Sequence, residues 1–367
     1  MLLTPEPICE AIMEQKKVVL SVRDLQVKFR VRGRILSAIR GISLDLYEGE
    51  ALAIVGESGS GKSVFTKTFA GMLDANGFVD QGQILFYDEH AGGEVDLVNI
   101  KTDRQWSKIR GGRIATVFQD PMTSLNPILP IGKQITSVIL KHQDCTEAQA
   151  RQRALMLMEK VGIPDPESRF EDYPFQYSGG MRQRIVIAIA LSCQPKVLIC
   201  DEPTTALDVT IQAQILRLIK DLQREFGYTI VFITHDLGVV ANVADRVAVL
   251  YAGQVVELGT AQEIFYDPRH PYTWALLSSL PQLAQRDTEL FAIAGTPPSL
   301  YNRIQGDAFA PRNPYCMKID TLMEPPVFSV SDTHWAKTWL LDPRAPKVEK
   351  PEVIRNIHQK LIRAFNI

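Results

Sequence analysis

Apolar and polar positions alternate along VVLSVRDLQVKFRV, from Val18, with a period near two. That rhythm predicts a half-buried strand, and ISLDL (42–46) continues it after a glycine. ALAIV (Ala51–Val55) is uniformly apolar instead, as a strand covered on both faces must be. RIATVF (113–118), KVLICD (196–201), YTIVFITH (228–235) and RVAVLYAG (246–253) read the same way, with helical stretches between them, notably 210–226. Strands alternating with helices predict an α/β core with a mainly parallel sheet. Between Asp120 and Pro195 the strand signal stops. There 135–141, 147–161 and 179–192 read as helices, so a helical subdomain (about 120–195) is expected as an insertion in a unit spanning 18–266. Residues 1–17 read as a loosely attached extension, and residues 267–367 as a small, loop-rich C-terminal domain broken by recurrent prolines such as Pro268, Pro271, Pro297 and Pro298. Ile354, Ile357, Leu361, Ile362 and Phe365 line one side of a basic terminal helix, expected to dock on its own domain. No internal repeat or low-complexity tract interrupts this plan.

Composition narrows the function classes. The chain of 367 residues suits about two domains, and 46% apolar with 22% charged residues excludes a disordered chain. Forty Lys+Arg against 42 Asp+Glu give a net charge of −2, without the basic excess of a nucleic-acid binder. The five cysteines (Cys9, Cys145, Cys193, Cys200, Cys316) are scattered, with no metal-binding spacing, and read as reduced, buried small hydrophobes. Lys28, Arg30, Arg32 and Arg34 alternate as a solvated strand face. No stretch is apolar enough to span a membrane, and the first residues lack a signal-peptide pattern. A soluble intracellular protein is expected, one that serves a membrane only from its surface.

Chemistry enters at Gly56-Glu57-Ser58-Gly59-Ser60-Gly61-Lys62-Ser63, which fits GxxxxGK[ST] at every fixed position, between a buried strand and a helix. Glycines let the loop turn so that its N–H groups face phosphate oxygens, and the positive end of the following helix adds to that field. Lys62 would reach the β- and γ-phosphates, and the Ser63 hydroxyl would ligate Mg²⁺. A phosphate loop needs a second, acidic element. VLICDE supplies it: Asp201 would hold Mg²⁺, and Glu202 would polarise the attacking water as a general base. His235 and Gln119 follow two other strands, at the edge where such sheets bind ligands. His235 could sense the γ-phosphate and Gln119 could coordinate Mg²⁺ or water; a structural role is open for both.

Tyr177-Ser178-Gly179-Gly180-Met181-Arg182-Gln183-Arg184 precedes a helix just upstream of the acidic strand. A phosphate loop, a Gln after a strand, this SGG turn, the DE pair, Leu207-Asp208 and His235, in that order, resemble the ATP-binding subunits of ABC transporters over roughly residues 18–262. The resemblance implies a P-loop NTPase (RecA-like) α/β core with an antiparallel β subdomain and the inserted helical subdomain. It also implies a dimer enclosing two ATP molecules. Ser178, Gly179, Gly180 and Gln183 would then meet ATP held by the partner's phosphate loop, and Asp208 would lie at the dimer interface. Phe29 stands where the family often places an adenine-stacking aromatic, with a strand-core role equally open. Tyr177 replaces the family's common Leu, and Met181 its common Gln; with Lys62, Asp201, Glu202 and His235 in place, a hydrolytic site is expected.

The tail resembles one branch. Pro268-Arg269-His270-Pro271-Tyr272-Thr273, Gly295-Thr296-Pro297-Pro298 and Phe309-Ala310-Pro311-Arg312-Asn313-Pro314-Tyr315 look like the extension of oligopeptide/dipeptide/nickel importer ATPases. Many relatives bind an iron–sulfur cluster there through four cysteines. The matching positions are Asp307, Asn313, Asp320 and Thr338, so no cluster is expected. The resemblance implies an ATPase that powers oligopeptide import from the cytoplasmic face of the cell membrane, with ATP and Mg²⁺ as cofactors. Its implied partners are a second ABC ATPase subunit (a paralogue), two membrane permease subunits and an extracytoplasmic peptide-binding protein. Dipeptides, nickel or another small solute are alternative cargoes. A soluble ABC ATPase of DNA repair or translation is a rival, but it would carry two cassettes or a long coiled coil; a P-loop kinase or GTPase is opposed by the SGG turn.

Overall fold

The computed structural model describes residues 17–205, 207–280, 293–355 and 357. The first alternating run forms a long hairpin, β1 (Val18–Val31) and β2 (Arg34–Tyr47). Next comes β3 (Ala51–Val55), then the phosphate loop and the helix Lys62–Phe69. β4 (Gly77–Asp88) and β5 (Gly93–Asp96) return to the hairpin and complete an antiparallel sheet of order β2-β1-β4-β5. β6 (Ile114–Val117) leads into the helical subdomain. After it come β7 (Val197–Asp201), β8 (Thr229–Thr234), β9 (Arg246–Tyr251) and β10 (Gln254–Thr260). The C-terminal region adds two short strands, β11 (Phe328–Ser329) and β12 (Trp335–Ala336). The second sheet runs β11-β12-β10-β9-β3-β8-β7-β6, parallel from β9 to β6 and antiparallel from β9 outward to β11.

The uniform apolarity of the central strands now has a cause. Leu52 and Ile54 of β3 join the core beneath the antiparallel sheet, with Ile199, Val231 and Ile233 from β7 and β8. Ala51, Ala53 and Val55 face the other way, into the core shared with the helices, alongside Leu198, Cys200, Ile230 and Phe232. Side chains alternate across a strand, so covering both faces requires every position to be apolar.

The expected helices are present with small shifts at their ends. The first of the subdomain starts earlier, at Ile131 behind Pro130, and runs to His142. The second, Glu147–Lys160, is opened by a capping box between Thr146 and Gln149. The third is Gly179–Leu191, and Val209–Phe226 ends where Gly227 takes φ 68°.

The C-terminal region shares the main core. Tyr272, Trp274, Phe309, Ile354 and Ile357 belong to the same cluster as the subdomain helices. Leu361, Ile362 and Phe365 lie outside the described residues. β12 pairs with β10 at Glu257 and Leu258, and Glu257 is fully buried. That carboxylate accepts from the Arg269 and His270 N–H groups at 2.6 and 3.0 Å and pairs with His334 Nε2 at 2.8 Å. A buried charge is tolerated only with such partners. Asp307, Asn313, Asp320 and Thr338 are all buried, and each side chain accepts a turn N–H: from Phe309, Tyr315, Met317 and Leu340 respectively. Cysteine burial holds for Cys193 and Cys200, whose thiols are pushed up by it, but Cys316 is exposed. It lies on a surface turn, its sulfur 3.5 Å from the Met317 carbonyl. Cys9 lies outside the described residues.

Candidate functional site

Parallel pairing of β6, β7, β8 and β3 brings their carboxyl ends to one edge, and the loops there carry the candidate residues. β3 delivers the phosphate loop. Lys62 is buried, and its Nζ donates to the Gly56 and Glu57 carbonyls at 2.7 and 2.9 Å. Burial lowers its pKa, against the opposing pull of the Glu202, Asp201 and Glu57 carboxylates. Ser60 is also buried, and its hydroxyl has no partner among the described residues. A polar atom left unpaired there fits a loop whose remaining partner is a bound anion. At Gly59 the loop borders open space, and a Cβ there would meet nothing within 4 Å.

β7 ends on the two acids. Ser63 Oγ donates to Asp201 Oδ1 at 3.0 Å, which joins the phosphate loop to the acidic strand; burial raises the Asp201 pKa and the Ser63 hydrogen bond opposes it. Glu202 adopts φ 47°, a left-handed conformation that costs a non-glycine residue on the order of 1 kcal/mol or more. Its N–H donates to the Ile233 carbonyl at 2.9 Å, and its carboxylate is held from three sides. Gln119 Nε2 and Thr205 Oγ1 each donate to Oε2 at 3.0 Å, and His235 Nδ1 lies 3.2 Å from Oε1. An ionised carboxylate only accepts, so the His235 proton sits on Nδ1 in that contact. Thr205 is the member that sequence reasoning missed. Gln119 directs its amide nitrogen to Glu202, which leaves the amide oxygen as the atom for a metal or water.

The SGG turn stands apart on the surface. Ser178 caps the helix Gly179–Leu191 by accepting from the Met181 N–H at 3.3 Å, and Ser178 and Gly179 are exposed. Gly180 allows close approach to the next helix, since a Cβ there would stand 2.8 Å from Ile211 Cγ2. Tyr177 is buried, and its hydroxyl, pushed up to about 12 by burial, donates to the Arg169 carbonyl at 2.6 Å. Tyr177→Phe is expected to cost about 1 kcal/mol in urea unfolding, with nucleotide affinity unchanged.

One expected contact is corrected. Gln183 is only 1% exposed: one helical turn beyond Gly179 the helix has already entered the interior, so Gln183 does not join the exposed turn. Phe29, 9% exposed, packs with Leu25 and Val27 on one strand face against the core under the antiparallel sheet, and its adenine-stacking role stays an expectation of the resemblance. Its ring edge covers Gly77, where a Cβ would fall 2.6 Å from Cε1. The period of two that predicts the strand also sends this ring inward. Asp208 is exposed and caps its own helix, accepting from the Thr210 and Ile211 N–H groups at 3.1 Å.

Comparison with known proteins identifies the family. The ABC transporter family matches residues 39–205, and the oligopeptide/dipeptide transporter C-terminal region matches residues 256–319. The oligopeptide transport ATP-binding protein AmiE of Streptococcus pneumoniae is 63% identical over 95% of this chain and 96% of its own length. The oligopeptide transport ATP-binding protein OppD of Bacillus subtilis is 56% identical over 94% of this chain and 95% of its own length. Among solved structures, a dimeric ATP-binding cassette in a post-hydrolysis state with ADP and Pi superposes with a TM-score of 0.57 at 27% identity, covering 66% of this chain and 98% of that one. With both family regions in order on one chain, and relatives similar over nearly its whole length, this chain belongs to the ABC transporter ATPases of the oligopeptide/dipeptide branch.

Proposed function

We propose that this chain is the ATP-hydrolysing subunit that powers import of oligopeptides through a membrane permease. The observation that carries the reading is the Glu202 carboxylate, held by Gln119, Thr205 and His235 beside the phosphate loop. That is the placement a general base needs to activate water against a γ-phosphate. Gly56 to Ser63 cradle the phosphates, with Lys62 on the β- and γ-phosphates. Mg²⁺ fits the hard oxygen donors of Ser63 and Asp201, and the Gln119 amide oxygen completes the set; the ion would neutralise charge on the transferred phosphoryl group.

Ser178, Gly179 and Gly180 contribute a second half-site to ATP bound by the partner ATPase, whose identity as a paralogue is the preferred reading, and Asp208 lies at that interface. Met122, Ile128, Tyr173 and Phe175 are exposed large apolar side chains of the helical subdomain, close to the Gln119 loop. Arg182 lies against the Met122 sulfur and donates to the Pro174 carbonyl at 2.8 Å, which joins Met122 to this patch. An apolar patch of this kind suits docking on permease subunits at the cytoplasmic face, with a peptide-binding protein outside delivering cargo. Among the described residues no helix is long and apolar enough to cross a membrane, which suits peripheral attachment.

The test is uptake of labelled peptides, two to seven residues long, in cells whose chromosomal copy carries Glu202→Gln, with protein levels matched to the native strain. Loss of uptake for peptides of four residues and longer is the expected result. A loss confined to dipeptides would move the cargo and keep the motor. Unchanged uptake at every length would overturn the peptide reading and bring nickel and other small solutes forward.

A further inference from the structure

Glu57, the second residue of the phosphate loop, is gripped by two residues of the C-terminal region. Its N–H donates to the Tyr272 hydroxyl at 2.8 Å. Its carboxylate accepts from both terminal nitrogens of Arg312, at 2.8 and 3.0 Å, the two-pronged geometry in which an arginine–carboxylate pair is strongest. The grip is itself anchored. Tyr272 is fully buried, with its ring centroid 4.5 Å from that of Tyr251 and 5.3 Å from that of Phe309. Arg312, whose side chain is 5% exposed, also donates to the Ala294 carbonyl at 2.9 Å and the Tyr251 hydroxyl at 3.3 Å. Pro297, Pro298 and Leu300 line the outer side of Glu57–Ser60, and the Leu300 carbonyl accepts from the Ser37 N–H at 3.0 Å.

We propose that the C-terminal region is a clamp on the phosphate loop, with Arg312 and Tyr272 as positioning residues for nucleotide binding. The physical case is preorganisation. Packing holds the loop at Gly56 and Gly61, but Gly59 between them borders open space, so the turn Glu57–Ser60 keeps freedom whose loss on binding costs affinity. Fixing Glu57 by its N–H and by its carboxylate removes much of that freedom before the nucleotide arrives. Neither holder touches the Glu202 cluster, so the clamp acts on affinity and leaves the chemical step alone. The proposal deepens the ATPase reading and rests on nucleotide binding at this loop.

The test titrates a fluorescent ATP analogue into the purified full-length chain and measures ATPase kinetics in the assembled transporter. Tyr272→Phe and Arg312→Gln are each expected to weaken binding about three- to tenfold, the scale of one or two lost hydrogen bonds. KM for ATP should rise in step, with kcat within about twofold, and Arg312→Lys should recover part of the loss. Adding Glu57→Gln to Arg312→Gln should cost no more than Arg312→Gln alone, because the two groups act as one contact. Lys62→Ala is the control for the site itself. If Lys62→Ala abolishes binding while Tyr272→Phe and Arg312→Gln bind like the native chain, the clamp is overturned and the ATPase reading stands. If Lys62→Ala binds normally, the loop is not the nucleotide site and both fall. Should Arg312→Gln fail to fold by circular dichroism, Tyr272→Phe, which removes a single oxygen, decides alone.

Discussion

Glu202→Gln is expected to cut ATP turnover by roughly 10²–10⁴-fold while ATP binding stays within about twofold of native, the scale of a lost general base. The substitution leaves the shape of the site intact. Gln can keep an amide oxygen where Oε2 now accepts from Gln119 and Thr205, and its NH₂ group can face His235, which switches tautomer to accept. What disappears is a group able to take a proton from water. Turnover in the assembled transporter, set against binding of a fluorescent ATP analogue, separates the two effects. Equal losses in binding and turnover would mean that the cluster maintains the loop and does not act on water.

Which parts of this molecule can be read from sequence follows from how local each cause is. β3, β6, β7, β8 and β9 announce themselves because burial on both faces leaves few polar positions, most of them at strand ends, to blur the run. β4 does not: its first half reads Gly77-Phe78-Val79-Asp80-Gln81-Gly82-Gln83, and buried alternation begins only at Ile84. β10 is hidden by Glu257, an acid that reads as surface until His334, 77 residues away, is seen to pair with it in the interior.

The site divides in the same way. Lys62, Ser63, Asp201, Glu202 and His235 are spaced by a motif or by strand ends, so their placement is a local statement about a loop and a sheet edge. Gln183 is offered a contact by resemblance, and the periodicity of its own helix turns it inward. Thr205 lies three residues from Glu202, and a threonine after a proline turn carries no signal of its own. The grip on Glu57 is further still from legible: Arg312 is 255 residues away, and nothing short of the fold brings them together.

Gly56→Ala should be the most damaging single methyl group in the loop, lowering stability by about 3 kcal/mol or more and abolishing nucleotide binding. Gly56 takes φ 155°, and a Cβ built on it would stand 2.1 Å from the Leu250 carbonyl oxygen. That oxygen belongs to β9, whose preceding residues Arg246–Val249 pair with β3 and whose Leu250 pairs with Val255 of β10, so it cannot retreat without disturbing that pairing. The methyl therefore acts on the sheet and on the loop at once. Gly59→Ala is the matched comparison. Its φ of 78° also disfavours a side chain, but its Cβ meets nothing within 4 Å, so only the backbone strain remains, about 1 kcal/mol. Urea unfolding of both variants, with analogue binding measured alongside, gives the answer. A Gly56→Ala protein as stable as Gly59→Ala, still binding nucleotide, would show that β3 and β9 yield where the packing says they are locked.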